Sequence, residues 1–225
     1  MCPFLNNIAP EKAKLNVRHQ YLCIEGNIGT GKTALASRIA KDFGKKLLLE
    51  EFEDNSFLPK FYEDPARYAF PLEMSFLASR FNQLNRELLQ GDLFDSGVVS
   101  DYVFFKCLVF SKITLSDDEY DLYTRLFDII NLQVPQPGLL VYLHKPVSKL
   151  QEQIQKRGRS YEQKITDEYL LKLQEAYFDY INHHTKSPVL ILDTTSADFV
   201  NSQADYDFLI NKINAEYPDG VNVVY

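Results

Sequence analysis

Tyr21-Leu22-Cys23-Ile24-Glu25-Gly26-Asn27-Ile28-Gly29-Thr30-Gly31-Lys32-Thr33-Ala34-Leu35-Ala36 decides how the chain is read. An apolar run from Tyr21 to Gly26 gives way to a glycine-rich turn, and the turn to residues that favour helix. Gly26 to Thr33 satisfies G-x-x-x-x-G-K-[ST] at every fixed position, in the strand, loop and helix setting that gives the pattern its meaning. The glycines let backbone N–H groups turn toward phosphates, and the helix amino end adds positive dipole. Lys32 neutralises the β and γ phosphates, and Thr33 offers its hydroxyl to magnesium. Gly26, Asn27, Ile28, Gly29, Thr30, Gly31, Lys32 and Thr33 therefore read as a site for ATP and Mg2+.

Four further runs rich in Leu, Ile and Val have the length of buried parallel strands: Lys46 to Glu51, Gly97 to Asp101, Leu139 to His144 and Val189 to Asp193. Segments with helical spacing separate them: Lys32 to Phe43, Pro65 to Leu89, Tyr102 to Ser111, Asp117 to Leu132, Val147 to Lys156 and Thr166 to His183. Alternation of this kind predicts an α/β fold with a mostly parallel sheet covered on both faces, and a site at the carboxyl ends of the strands. At 225 residues, with 45% hydrophobic and 24% charged, the composition is that of one soluble domain. Residues 1–18 read as a loose arm, 19–216 as the domain and 217–225 as a tail. The helix from Pro65 to Leu89 carries apolar residues on more than one face. Two readings of the surplus stay open: a dimer interface, or burial within one monomer.

The net charge of −7 and the scattered basic residues disfavour a nucleic-acid partner. No stretch reaches the ~20 apolar residues of a membrane helix. Cys2, Cys23 and Cys107 follow no pairing or metal-ligand spacing, which points to reduced thiols and a cytoplasmic setting.

Phosphoryl transfer asks for an acceptor-side carboxylate and a metal-side acid. Strand two ends in Glu50-Glu51-Phe52-Glu53-Asp54, where period-two alternation lets only one of Glu50 and Glu51 face the cleft. A solvated acidic turn is the alternative. Asp101, after the apolar Gly97-Val98-Val99, reads as the magnesium-side carboxylate or as a helix cap. Lys156-Arg157-Gly158-Arg159-Ser160-Tyr161-Glu162 reads as a lid that brings arginines over the γ-phosphate, or as a basic helix-ending loop.

Together these segments, from about Tyr21 to about Asp193, resemble the P-loop deoxyribonucleoside kinases. The specific part is Glu50-x-x-Glu53-x-Asn55, Phe61-Tyr62-x-Asp64-Pro65 and Arg157-Gly158-Arg159-Ser160-x-Glu162, which look like the motifs of bacterial members acting on purine deoxynucleosides. The resemblance implies a five-stranded parallel sheet in the order 2-3-1-4-5, a homodimer, and transfer of the ATP γ-phosphoryl group to a deoxynucleoside 5′-hydroxyl. It also implies residue roles. Glu50 matches the base, Tyr62 and Glu162 the pair on the 3′-hydroxyl, Arg157 and Arg159 the lid arginines, and Asp101 the magnesium-side acid. The loop from Asp193 to Asp198 would flank the adenine. Phe110 would stack on the substrate base, or serve the core.

Two departures stand out. Glu73 occupies the place of a base-reading Gln, and an ionised carboxylate accepts hydrogen bonds without donating any, which suits guanine better than adenine. Tyr102 follows Asp101 where the family has an arginine beside the catalytic carboxylate. One same-class rival is a nucleoside monophosphate kinase, which would need added arginines near the acceptor. Arg67 and Arg80 are the candidates, and surface placement on the long helix is the simpler account of both. The other rival is an ATP-binding module that has lost its chemistry.

Overall fold

The computed structural model describes residues 19–51, 55–89, 97–159, 162–185 and 187–224. The expected arm, the remainder of the strand-two turn including Glu53, and Ser160-Tyr161 lie outside these. The first half runs β1 (Tyr21–Gly26), α1 (Lys32–Phe43), β2 (Lys46–Leu48), α2 (Leu58–Glu63) and α3 (Pro65–Leu84). A π-helical turn (Asn85–Leu89) follows, then β3 (Val98–Ser100), α4 (Lys106–Thr114) and α5 (Asp117–Asn131). The second half runs β4 (Leu139–His144), α6 (Val147–Arg157), α7 (Asp167–His184), β5 (Pro188–Asp193), α8 (Gln203–Ile213) and β6 (Gly220–Val224).

Among the described residues the sheet has six strands in the order β2-β3-β1-β4-β5-β6, every pairing parallel. The expected order of the first five is kept, and the expectation of five strands is corrected by one. The sixth lies in residues 217–225, where a tail was expected. Gly220-Val221-Asn222-Val223-Val224 pairs with β5 from Pro188↔Gly220 to Leu192↔Val224. Its β-branched residues suit a pleated edge, but Asn222 breaks the apolar run and the helix before it was not foreseen, so no crossover was expected.

Period-two alternation splits the core in two. Tyr21 and Cys23, Leu140 and Tyr142, and Val189 and Ile191 face one layer, where they pack with residues of α3, α4, α5 and α7. Leu22 and Ile24, Leu139, Val141 and Leu143, and Leu190 and Leu192 face the other, with residues of α1 and α8. Burial of both faces explains why these strands read as continuous apolar runs.

Helix α1 matches the expected bounds. Helices α2 and α8 were not foreseen. The segment expected to be helical from Tyr102 begins only at Lys106, because Tyr102 and Val103 stay non-helical and Val103 donates its N–H to Glu25 Oε2 at 3.2 Å. The long helix keeps α-geometry to Leu84. Part of its apolar surplus is spent inside the monomer, since Leu72 and Phe76 line a cleft above the sheet. No described helix is long and apolar enough to cross a membrane.

Candidate active site

The phosphate loop closes β1 and opens α1. Gly29 and Gly31 hold φ of 88° and 95°, and a Cβ on Gly29 would stand 2.9 Å from the Leu150 carbonyl oxygen. Only glycine fits such a position without displacing α6. Buried Asn27 anchors the loop: its Nδ2 donates to the Leu170 carbonyl at 2.8 Å, and its Oδ1 accepts the Ile28 N–H at 2.8 Å. Thr30 donates its hydroxyl to the Asn27 carbonyl at 2.9 Å. Lys32 rests on the same carbonyl at 3.1 Å, and its Nζ lies 4.0 Å from Glu25. Glu25, fully buried, also accepts the Gly26 N–H at 2.9 Å, so one carboxylate ties the loop, its lysine and the segment after β3 together.

At the ends of β2 and β3 the acids meet. Thr33 donates its hydroxyl to Asp101 Oδ2 at 2.5 Å, and Asp101 Oδ1 accepts the Glu50 N–H at 2.8 Å. A hydroxyl beside one carboxylate fits magnesium, which keeps waters and takes its remaining ligands from phosphates. Among the described residues no cluster of three or more His, Cys, Asp or Glu could hold a metal ion without such help.

Glu50 faces the cleft, whereas exposed Glu51 accepts from Gln83 Nε2 at 3.1 Å. Arg80 grips Glu50 Oε1 through Nε at 2.9 Å and Nη2 at 2.6 Å, and Lys106 donates to Oε2 at 2.6 Å. Burial alone would raise this carboxyl, but the Lys106 ammonium and the Arg80 guanidinium outweigh it and hold Glu50 well below the usual carboxylate range. Against its own burial, Lys106 is pushed up by Glu50 and Glu25. Burial lowers Lys32, with Lys106 adding to the effect.

These contacts correct the reading of Arg80 as a surface residue: it is 4% exposed, and its Nη1 donates to the Cys107 sulfur at 3.1 Å. Arg67 is exposed, as expected. Lys106 was missed. It supplies a cation beside Glu50 where Tyr102 does not, since buried Tyr102 turns away and donates its hydroxyl to Gln83 Oε1 at 2.6 Å. Spacing offered only a faint signal. Arg80 follows Glu73 by seven residues, two turns along one helix face, and Lys106 opens the helix behind Asp101.

One cleft of about 420 Å³ gathers most of the expected residues: Ile28, Gly29, Lys32, Thr33, Glu50, Tyr62, Glu73, Asp101, Phe110, Arg157, Arg159 and Glu162. Its size and mixed lining suit a small-molecule ligand. Within it Glu73, 2% exposed, accepts the Thr114 hydroxyl at 2.9 Å. Burial pushes Glu73 up to about 7, against the Arg80 charge and the Thr114 hydrogen bond. Phe110 lines the cleft and also packs on the core, with Lys106 Nζ 5.3 Å from its ring centre. Tyr62 projects from α2. Glu162 is buried and held by the two arginines, accepting from Arg157 at 3.0 and 2.5 Å and from Arg159 at 3.4 Å. Asp193, outside this cleft, accepts the Thr195 N–H at 2.8 Å and shapes the loop after β5. Thr195 to Asn201 of that loop line a second groove of about 360 Å³, on the other side of Gly29, Thr30 and Gly31, with Lys145 and Lys149.

Comparison with known proteins follows the same lines. A model of the deoxynucleoside kinase family matches residues 22–217. The deoxyguanosine kinase of Bacillus subtilis (strain 168) is 34% identical over 193 residues, which cover 83% of this chain and 92% of the relative. The deoxyadenosine kinase of Dictyostelium discoideum is 32% identical over 218 residues, covering 96% and 86%. The solved structure of deoxyadenosine kinase from M. mycoides with bound dATP shares the fold, with a TM-score of 0.73 at 20% identity, covering 86% of this chain and 99% of that one. With the phosphate loop, the parallel sheet and the acid-lined cleft in the same frame, the chain belongs to the deoxynucleoside kinase family.

Proposed function

We propose that this chain transfers the γ-phosphoryl group of ATP to the 5′-hydroxyl of a deoxyribonucleoside, with a purine base preferred, giving the 5′-monophosphate for nucleotide salvage. The observation that carries the reading is Glu50, held ionised between Arg80 and Lys106 and facing the same cleft as Lys32 and Thr33. The 5′-oxygen forms a bond to the γ-phosphorus as the bond to the β-bridging oxygen breaks. The hydroxyl proton passes to Glu50, and ADP leaves. Each carboxylate oxygen has about two acceptor sites, so Oε2, which takes one bond from Lys106, keeps one for the hydroxyl. A carboxylate held so far down is a weak base. It suffices because the transition state is loose and proton transfer comes late, leaving the protein mainly the work of positioning and charge neutralisation.

Lys32 and the loop amides would hold the phosphates, and Thr33 and Asp101 the Mg2+, which when bound neutralises charge on the phosphates. Arg157 and Arg159, resting on Glu162, are placed to pass to the γ-phosphate, while Tyr62 and Glu162 would hold the 3′-hydroxyl. The groove beside Thr195 to Asn201 suits the ATP base. Engagement of Arg80 by Glu50 and exposure of Arg67 take both candidates on the long helix away from a second acceptor phosphate, which favours a nucleoside over a monophosphate. A non-catalytic module is disfavoured by Lys106 and Arg80, which supply the charge Tyr102 lacks. A homodimer in the cytoplasm completes the reading. It is supported by the exposed stripe Leu122, Ile129 and Leu132 on and just after α5, and by free, buried Cys23 and Cys107.

An ATP-coupled assay across the four deoxynucleosides, with product analysis against the monophosphates, tests the proposal. Monophosphate formed from a purine deoxynucleoside is expected. ATP binding without any phosphorylated product would overturn it in favour of the non-catalytic module.

A further inference from the structure

The cleft that the phosphate loop lines also holds a buried carboxylic acid with one oxygen uncommitted. The Thr114 hydroxyl, which also lies 3.0 Å from the Phe110 carbonyl, engages Oε1 of Glu73, while Oε2 has no hydrogen-bond partner among the described residues although the side chain is buried. Arg80, Phe110 and Tyr169 line the space that Glu73 faces. An ionised carboxylate there can only accept. A protonated one donates through one oxygen and accepts through the other.

Nucleobases divide along the same line. Guanine presents N1–H beside its 2-amino group, two donors in a row that match both oxygens of a carboxylate, and O6 beside N1–H, an acceptor and a donor that a neutral acid can also pair. Adenine presents N1 as an acceptor beside its 6-amino group, and cytosine presents N3 beside its 4-amino group. Both match a neutral acid that donates O–H to the ring nitrogen and accepts from the amine. Facing adenine, an ionised Glu73 would oppose one acceptor to another and leave both unpaired in a desolvated site, a mismatch that sites of this kind reject strongly.

Resting on the nucleoside kinase reading above, we propose that the proton on Glu73 selects the base. Ionised, the residue admits guanine alone, and protonated it admits, beside guanine, bases that pair a ring acceptor with an amino group. The proton thus decides how far adenine and cytosine compete with guanine for one pocket.

The surroundings allow both forms near neutrality. Burial raises Glu73 to about 7, with Glu50 adding to the rise and Arg80, Thr114 and Lys106 opposing it. The other titratable groups nearby stay neutral there, because burial pushes up the Cys107 thiol from α4, the Tyr123 phenol from α5 and the Tyr169 phenol from α7. Tyr123 also fixes the helix turn by donating to the Glu73 carbonyl at 3.3 Å.

The test is kcat/KM for deoxyguanosine, deoxyadenosine and deoxycytidine at saturating ATP, between about pH 6 and about pH 8.5. Steps common to all substrates, Glu50 ionisation included, cancel in the ratio. The deoxyguanosine to deoxyadenosine ratio is expected to rise with pH by up to about tenfold per unit. Deoxycytidine should follow deoxyadenosine. Deoxyinosine, which keeps N1–H and lacks the 2-amino group, should follow deoxyguanosine at lower efficiency. Glu73→Gln, permanently neutral, should give a flat ratio shifted toward deoxyadenosine. A ratio constant within about twofold in the unaltered protein, or the same slope in Glu73→Gln, overturns the proposal. Failure to phosphorylate any deoxynucleoside overturns instead the kinase reading on which it rests.

Discussion

Glu50 and Glu73 are two carboxyls of one cleft, both shielded from water, whose proton affinities are shifted in opposite directions. Glu50 sits at the end of β2 between a guanidinium and an ammonium, and those charges outweigh desolvation. Glu73 sits two helical turns from Arg80 with a single threonine hydroxyl for company, and desolvation wins. Burial is thus common to both, and what differs is the number of cations within hydrogen-bond reach. Carboxyls pushed apart in this way suit different chemical roles, which under the proposed function are a charged group toward the reacting phosphate and a group that exchanges a proton with its ligand.

Removing the cations should collapse the contrast, and Arg80 is the stronger test. Arg80→Met leaves Glu50 with Lys106 alone and is expected to cost about 3–5 kcal/mol of stability, read from urea denaturation at constant slope. Loss of less than about 1 kcal/mol would show that the pair adds little. Lys106→Met should lower kcat by about 10²–10³ with the KM for ATP little changed, since the charge is set beside the acceptor rather than the phosphate loop. An unchanged kcat would return the missing arginine of the Asp101-Tyr102 segment to the account as a real loss.

Glu73 should show its state in stability as well. Between its ordinary value of 4.5 and about 7 the folded chain keeps a proton on Glu73 that the unfolded chain has lost. Stability therefore falls as pH rises across that window, by about 3 kcal/mol in total. Glu73→Gln should remove this slope from the pH dependence of unfolding, and an unaltered slope would mean Glu73 is ionised at little cost.

Much of the frame was legible because its signals are local. The loop from Gly26 to Thr33 states its own geometry, and continuous apolar runs mark strands buried on two faces. β6 was not legible, because Asn222 interrupts its apolar residues on a half-exposed sheet edge and the helix before it, α8, was itself not foreseen. Arg80 and Lys106 were hidden for another reason. A charged residue on a helix reads as solvent-facing until its partner is known, and the partner, Glu50, lies 30 and 56 residues away along the chain. Glu73 was found through its departure from a familiar motif, while its unpartnered oxygen needed three dimensions to see.

Acceptance of the sugar hydroxyl proton by Glu50 is best examined with Glu50→Gln in a single-turnover reaction with ATP and deoxyguanosine. A rate lower by about 10²–10⁴ is expected while both ligands still bind. Turnover within a few-fold of the unaltered protein would contradict it.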